Sequence, residues 1–369
     1  MKIFLALICL PFVLWSCQSE TSQSQEPGQT TTETTEMGPT QFVVNIDRLR
    51  MRDTPGEEGT VIKELEKGTI LYDQGEVSDF TTRIKLRGIT FDEPWLKVIA
   101  PDQTVGWIYA GAIHLGTSPD SKLAKLLREK RLVTLFGPDG AAQLTAYRNH
   151  FHQANEAKAL LDAYREGRQF RDQFVDLLEE KISVGETEET QPDLFWLEEA
   201  MPGFIPQLVA EGTVYYLFED YRQWIKKAKE TDNPLDDQFV ELKIKAFPTD
   251  SIEYFFAAWQ IQTWDYGGSS LLGRGIHLAI LKAAEALIQS GHYMDSEIRQ
   301  VKTQIVDDIL QPTNSFWESK EKVIAEMDNM LQANLTIIDK KDKIALEARR
   351  QQFDAPESHQ IEMNVRAGN

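Results

Sequence analysis

The chain has 369 residues, with 58 acidic and 39 basic side chains and a formal net charge of −19. That length suits two or three domains of about 150 residues each. The acidic balance excludes nucleic acid as a main partner, because phosphate binding needs a surplus of Lys and Arg. Two cysteines exclude a disulfide framework, a four-cysteine zinc site and an iron–sulfur site.

Lys2 precedes an apolar run from Ile3 to Trp15. A helix of that length reaches about 20 Å, short of the roughly 30 Å hydrocarbon core, so the run reads as a secretory signal over residues 1–16. It ends Leu14-Trp15-Ser16-Cys17, which resembles the lipobox of bacterial lipoproteins, with Trp15 bulkier than usual at its position. The resemblance implies cleavage before Cys17, acylation of that cysteine with fatty acids such as palmitate, and a membrane partner reached through the lipid. Residues 17–40 are then a tether. Between Gln18 and Thr40 the one apolar side chain is Met37, so the segment buries nothing to offset ordering entropy and is expected to be disordered. In the lipoproteins it resembles, an Asp after the cysteine marks inner-membrane retention. Gln18 stands there instead, which points to the outer membrane, on its periplasmic or surface side. Cleavage would remove Cys9 and acylation would consume Cys17, which leaves no cysteine nucleophile.

Residues 41–116 read as short strands separated by turns. Phe42-Val43-Val44, Leu49-Arg50-Met51-Arg52, Val61-Ile62 with Leu65, Ile70-Leu71-Tyr72, Trp95-Leu96-Lys97-Val98 and Gly106-Trp107-Ile108-Tyr109 carry the strand signal, and Asp53-Thr54-Pro55-Gly56 is a turn. Four of these pieces, in order, resemble the bacterial SH3-like domain SH3b: Leu49 to Gly56, Val61 to Thr69, Trp95 to Val98, and Gly106 to Ile108. The resemblance implies a small all-β barrel that docks on cell-wall peptide or on an envelope protein, or that acts as a spacer. One stretch departs from the family: Asp73 to Pro94 is long and contains Thr81-Thr82-Arg83-Ile84-Lys85-Leu86, an extra strand pair or long loop. Ligand specificity therefore does not carry over. Tyr72, Phe91, Trp95, Trp107 and Tyr109 are the aromatics available to line a groove, although Trp95 and Trp107 also suit the core of so small a barrel.

From about residue 119 the pattern changes to a period of 3.6 and continues to 352, which predicts an all-α domain larger than the barrel. Leu123, Leu126, Leu127 and Leu132 begin it. Leu160, Leu161, Tyr164, Phe170, Phe174, Leu177 and Leu178 continue it. Phe204, Leu208, Leu217, Tyr221, Trp224, Ile225 and Ala228 form a single stripe over 203–229, and Val323, Met327, Met330, Leu331 and Leu335 form another. Asp250-Ser251-Ile252-Glu253 resembles a capping box and Pro312 suits a first helical turn. Residues 353–369 are polar and are expected to fray. This half carries most of the negative charge.

The densest local signal runs from Trp259 to His277, where four glycines accompany Trp264, Asp265, Tyr266, Arg274 and His277. Glycines let backbone approach a ligand, and Ser and Arg hold anions. The same stretch also suits a glycine-rich bend between two core helices, and it matches neither the nucleophile elbow nor the phosphate loop. His150 and His152 diverge on a helix, and Ser319-Lys320-Glu321-Lys322 matches the S-x-x-K spelling without its companions. No catalytic residue, metal ligand set or cofactor is assigned. The expectation is a multidomain chain, an SH3-like barrel followed by a helical domain, working as a non-enzymatic envelope lipoprotein. The alternatives are a small-ligand sensor using Trp259–His277 and a wall hydrolase targeted by SH3b.

Overall fold

A computed structural model describes residues 40–115, 121–183, 191–192, 194, 196–209, 214–248, 256–261, 268–291, 293–311 and 315–365. The signal segment, Cys17 and the tether up to residue 39 lie outside the described residues, as do the capping box at 250–253, Trp264, Asp265, Tyr266 and Pro312.

The N-terminal part is a curled antiparallel sheet of seven strands, in the order β3-β2-β6-β5-β4-β1-β7. The strands are β1 (Gln41–Val44), β2 (Leu49–Arg52), β3 (Val61–Leu65), β4 (Ile70–Leu86), β5 (Ile89–Ile99), β6 (Val105–Tyr109) and β7 (Ile113–His114). Alternation sends Phe42, Met51, Leu71, Leu96, Val98 and Ile108 to one fully buried face. The long segment that departs from the SH3b pattern is neither loop nor separate hairpin. It extends β4 and β5 into one arm, with register shifts between Asp73 and Val77 and between Val77 and Thr81. Such bulges bend a ladder without ending it. The arm closes through Arg87 (φ 46°) and Gly88 (φ 81°), two left-handed residues between the paired Leu86 and Ile89, which suits the right-handed twist of a hairpin.

That turn is pinned by the helical part. The Ser183 N–H donates to the Gly88 carbonyl at 3.1 Å, and a Cβ on Gly88 would sit 1.8 Å from the Ser183 carbonyl oxygen. A second joint lies on β5. Arg131 and Glu93 are both buried, with Arg131 Nε donating to Glu93 at 2.9 Å, and Nη2 donating to the carbonyls of Ala110 and Ile113 at 2.9 and 3.0 Å. Secondary structure changes from strand to helix between Leu115 and Ser121, and residues 39–369 form one compact unit.

Nine α-helices occur among the described residues. Helix α1 (Lys122–Gln153) is capped by Ser121, whose Oγ accepts from the Ala124 N–H, and it breaks at Gly137-Pro138, where Gly137 has φ 72°. It packs on α2 (Ala157–Lys181) through Phe136 against Phe174 at 4.7 Å between ring centroids. The expected stripe of α2 is buried at Leu160, Leu161, Tyr164, Phe170, Phe174 and Leu178. After α3 (Trp196–Ala200) come α4 (Tyr221–Ala228), α5 (Pro234–Ala246), α6 (Ile276–Ser290), α7 (Asp295–Leu310), α8 (Lys320–Gln332) and α9 (Lys340–Gln352). On α8, Val323, Met327 and Met330 are buried as the periodicity predicts.

Two expectations are corrected here. The larger part is not all-α: residues 203–229 hold a hairpin, β8 (Phe204–Val209) paired with β9 (Val214–Glu219), before α4 begins, and β10 (Gln260–Ile261) pairs with β11 (Ser269–Ser270). Pro206 would break a helix there, and Tyr215, Leu217 and Glu219 are buried alternately with the less buried Tyr216 and Phe218, which is a strand's period of two. The tail does not fray as far as residue 365. Phe353 is fully buried against Phe316 at 5.0 Å, Ile361 is buried, and Phe316 pairs with Met363. Two apolar anchors and a backbone bridge hold a segment that its polar composition alone would release.

Candidate functional site

Alternation along Leu49-Arg50-Met51-Arg52 sends Leu49 and Met51 into the core and turns Arg50 and Arg52 outward. The arm of β4 and β5 bends over the same face. Between the two lies a crevice of about 460 Å³, within the range of small-ligand pockets. Its apolar walls include Ile84 and Leu86 from the arm, Trp95 from β5 and Tyr109 from β6. Trp95 and Tyr109 lie 5.7 Å apart in a tilted pair. Both are held by Thr82: Trp95 Nε1 donates to its Oγ1 at 2.8 Å and the Tyr109 hydroxyl donates to its carbonyl at 2.7 Å. Burial, with Glu93 nearby, pushes the Tyr109 hydroxyl above its ordinary value, so it stays a donor.

The rim is charged. Arg48, Arg50 and Arg52 line it together with Asp47, Glu57 and Glu64. Arg50 stands opposite Glu64 across β2 and β3, yet among the described residues no ion pair joins Arg48, Arg50 or Arg52 to a carboxylate. The Arg52 guanidinium carbon lies 5.9 Å from the Trp95 ring centroid. Of the five aromatics expected to share a groove, this crevice brings together two. Phe91 is buried on the arm facing Arg131 at 5.6 Å, Trp107 is half-buried beside Lys97 at 5.9 Å, and Tyr72 sits half-buried on β4 opposite Gln41 and Ile99. The arginines of β2 went unread in the sequence, although their alternation was visible there.

Over its described residues 268–277 the glycine-rich stretch turns into α6, and the chain itself supplies an anion there. Glu326 of α8 accepts from the N–H groups of Gly273, Gly275 and Leu278 at 2.6, 2.8 and 3.2 Å, at the start of α6. A carboxylate at a helix N-terminus answers both the unpaired N–H groups and the dipole. Arg274 pairs with Glu318 at 2.8 Å. His277 is fully buried, its Nε2 2.9 Å from Asp308, which also accepts from Ser270 Oγ at 2.7 Å and from Gln260 at 3.1 Å. Ser270 and His277 both bond to the same Asp308 oxygen and not to each other. The grouping is a buried polar network that lacks the serine-to-imidazole hydrogen bond of a Ser–His–Asp triad.

The comparisons with other proteins bear on none of this. No protein-family model, curated protein or solved structure matches the chain. Among the described residues no group of three or more His, Cys, Asp or Glu side chains is placed to hold a metal ion, and no helix is long and apolar enough to cross a membrane. Of the arrangements above, the crevice combines an open volume with arginines that have no carboxylate partner among the described residues; Trp95 and Tyr109 at its base are each only 3% exposed, as the core reading of Trp95 expects. The crevice lining combines three arginines with the carboxylates of Asp47, Glu57 and Glu64.

Proposed function

We propose that this chain is a lipid-anchored cell-envelope lipoprotein whose curled sheet, an SH3b-type barrel, docks on cell-wall peptide through the crevice at Trp95 and Tyr109. The lipobox-like Leu14-Trp15-Ser16-Cys17 supports the anchor, and Gln18 supports the outer membrane. The stretches that carry the SH3b resemblance fall on β2 and its turn, on β3, on β5 and on β6 of one sheet. The observation that carries the docking role is the crevice itself, with three arginines free of carboxylate partners over an aromatic wall. The helical part acts as an interaction module held rigidly beside it.

Sedimentation of the full chain with purified peptidoglycan tests this. The wild type is expected to sediment with the wall. Arg48→Gln with Arg50→Gln, at two exposed positions, is expected to leave the protein in the supernatant with its thermal melt unchanged. Retention of the double variant would remove the crevice from the account. For the anchor, Cys17→Ser is expected to abolish incorporation of labelled fatty acid and to release the protein from membranes.

A further inference from the structure

The chemistry of the crevice specifies its ligand more narrowly, on the premise of the docking role above. Arg52 reaches the crevice with one nitrogen spent, since Nη1 donates to the Gly59 carbonyl. Its Nε is buried and has no hydrogen-bond partner. A buried N–H without an acceptor is uncommon and costly, and in a guanidinium it is a standing donor for an oxyanion. The same guanidinium lies over the buried Trp95 ring at 5.9 Å, and the half-buried Ile84 and Leu86 line the same crevice, so a donor for an anion and an apolar wall share one site. Arg50, exposed on the same strand, supplies a second cation beside it.

We infer that the crevice takes the free C-terminal carboxylate of a short peptide whose last side chain is aliphatic. A terminal residue carries its carboxylate and its side chain on one Cα, so it meets Arg52 and the wall of Ile84 and Leu86 together. An internal Asp or Glu would place its carboxylate where the wall requires a hydrocarbon. The acidic side chains on the rim, Glu57 and Glu64 among them, select against a ligand with many negative charges, because repulsion grows with each added anion while a single carboxylate is served by the arginines.

The test is a titration of the full chain, followed by intrinsic tryptophan fluorescence, with the tripeptide Ala-Ala-Leu as free acid, with its C-terminal amide, and with inorganic polyphosphate. The acid is expected to bind about tenfold more tightly than the amide, the size of one charge-assisted contact, and polyphosphate is expected not to compete. Arg50→Gln and Arg52→Gln are expected to narrow the gap between acid and amide. Arg50→Gln changes an exposed side chain and so reports binding without a change in folding, which the thermal melt verifies. Equal affinity for acid and amide, or displacement by polyphosphate, would overturn the inference. If the wall still retains the protein while acid and amide bind equally or not at all, the carboxylate assignment fails and the docking role stands. If neither wall nor peptide binds, both fail.

Discussion

Glu219 shows how single residues in this molecule are held by charges from several elements. It is buried at the end of β9, accepts from the Tyr164 hydroxyl at 2.7 Å, and lies 3.4 Å from Arg168 and Arg171 and 3.6 Å from Lys243. Burial pushes its carboxyl up, but Lys243, Arg168, the Tyr164 hydroxyl and Arg171 together outweigh burial and hold it below its ordinary value. A lowered carboxyl pKa means stability that is complete above the unfolded value of about 4.3 and is lost as pH falls through the lower folded value. Glu219→Gln is expected to cost about 3–5 kcal/mol, because three cations lose their shared counter-charge, and to flatten the acid limb of a stability-versus-pH curve measured by urea unfolding. An unchanged acid limb would place that titration elsewhere. None of these partnerships was legible in the sequence, where Glu219-Asp220 reads as two adjacent carboxylates. The crevice was half legible: Trp95 and Tyr109 stood out as aromatics, while Arg50 and Arg52 passed as ordinary strand polarity.

At the scale of elements, the strands of the sheet and the stripes of α2 and α8 were readable because each has one period and one buried face. The β8–β9 hairpin was not. Phe204, Leu208 and Leu217 also fit a helical stripe, and only tertiary packing decides between the two periods. Gly203 (φ 85°) turns the chain into that hairpin beneath Trp224, whose Nε1 donates to the Gly203 carbonyl at 2.8 Å. A Cβ there would lie 2.6 Å from the Trp224 ring, so Gly203→Ala brings both a steric and a backbone penalty. The start of α6 depends on a residue 53 positions further along the chain than Gly273, a separation no local pattern reveals. Glu326→Ala is expected to cost about 2–3 kcal/mol in chemical denaturation and to speed amide hydrogen exchange at Gly273, Gly275 and Leu278. Exchange unchanged at those three amides would mean that Glu326 does not hold the bend.

For the whole molecule, the sheet part and the helical part fall in one compact unit, with a buried ion pair between them. Arg131→Met would leave Glu93 buried without its partner, at a cost of about 3–5 kcal/mol, and adding Glu93→Leu should recover most of that loss. Calorimetry on the wild type should show one transition covering sheet and helices. Two resolved transitions would mean that the joint does not couple them. The helical part produced alone, from residue 121, would expose the surface around Arg131 that the sheet covers. It is expected to unfold more readily than it does within the full chain.

The joint at Glu93 and Arg131 also has a mechanical meaning. On the proposed docking role, a ligand in the crevice would pull on β5, where Glu93 stands two residues before Trp95. Traction on the ligand would pass along β5 into Arg131 and the first segment of α1, which breaks at Gly137-Pro138. The molecule would bear load as a bracket with two fixings, the Arg131 guanidinium on β5 and the Ser183 amide at the tip of the arm.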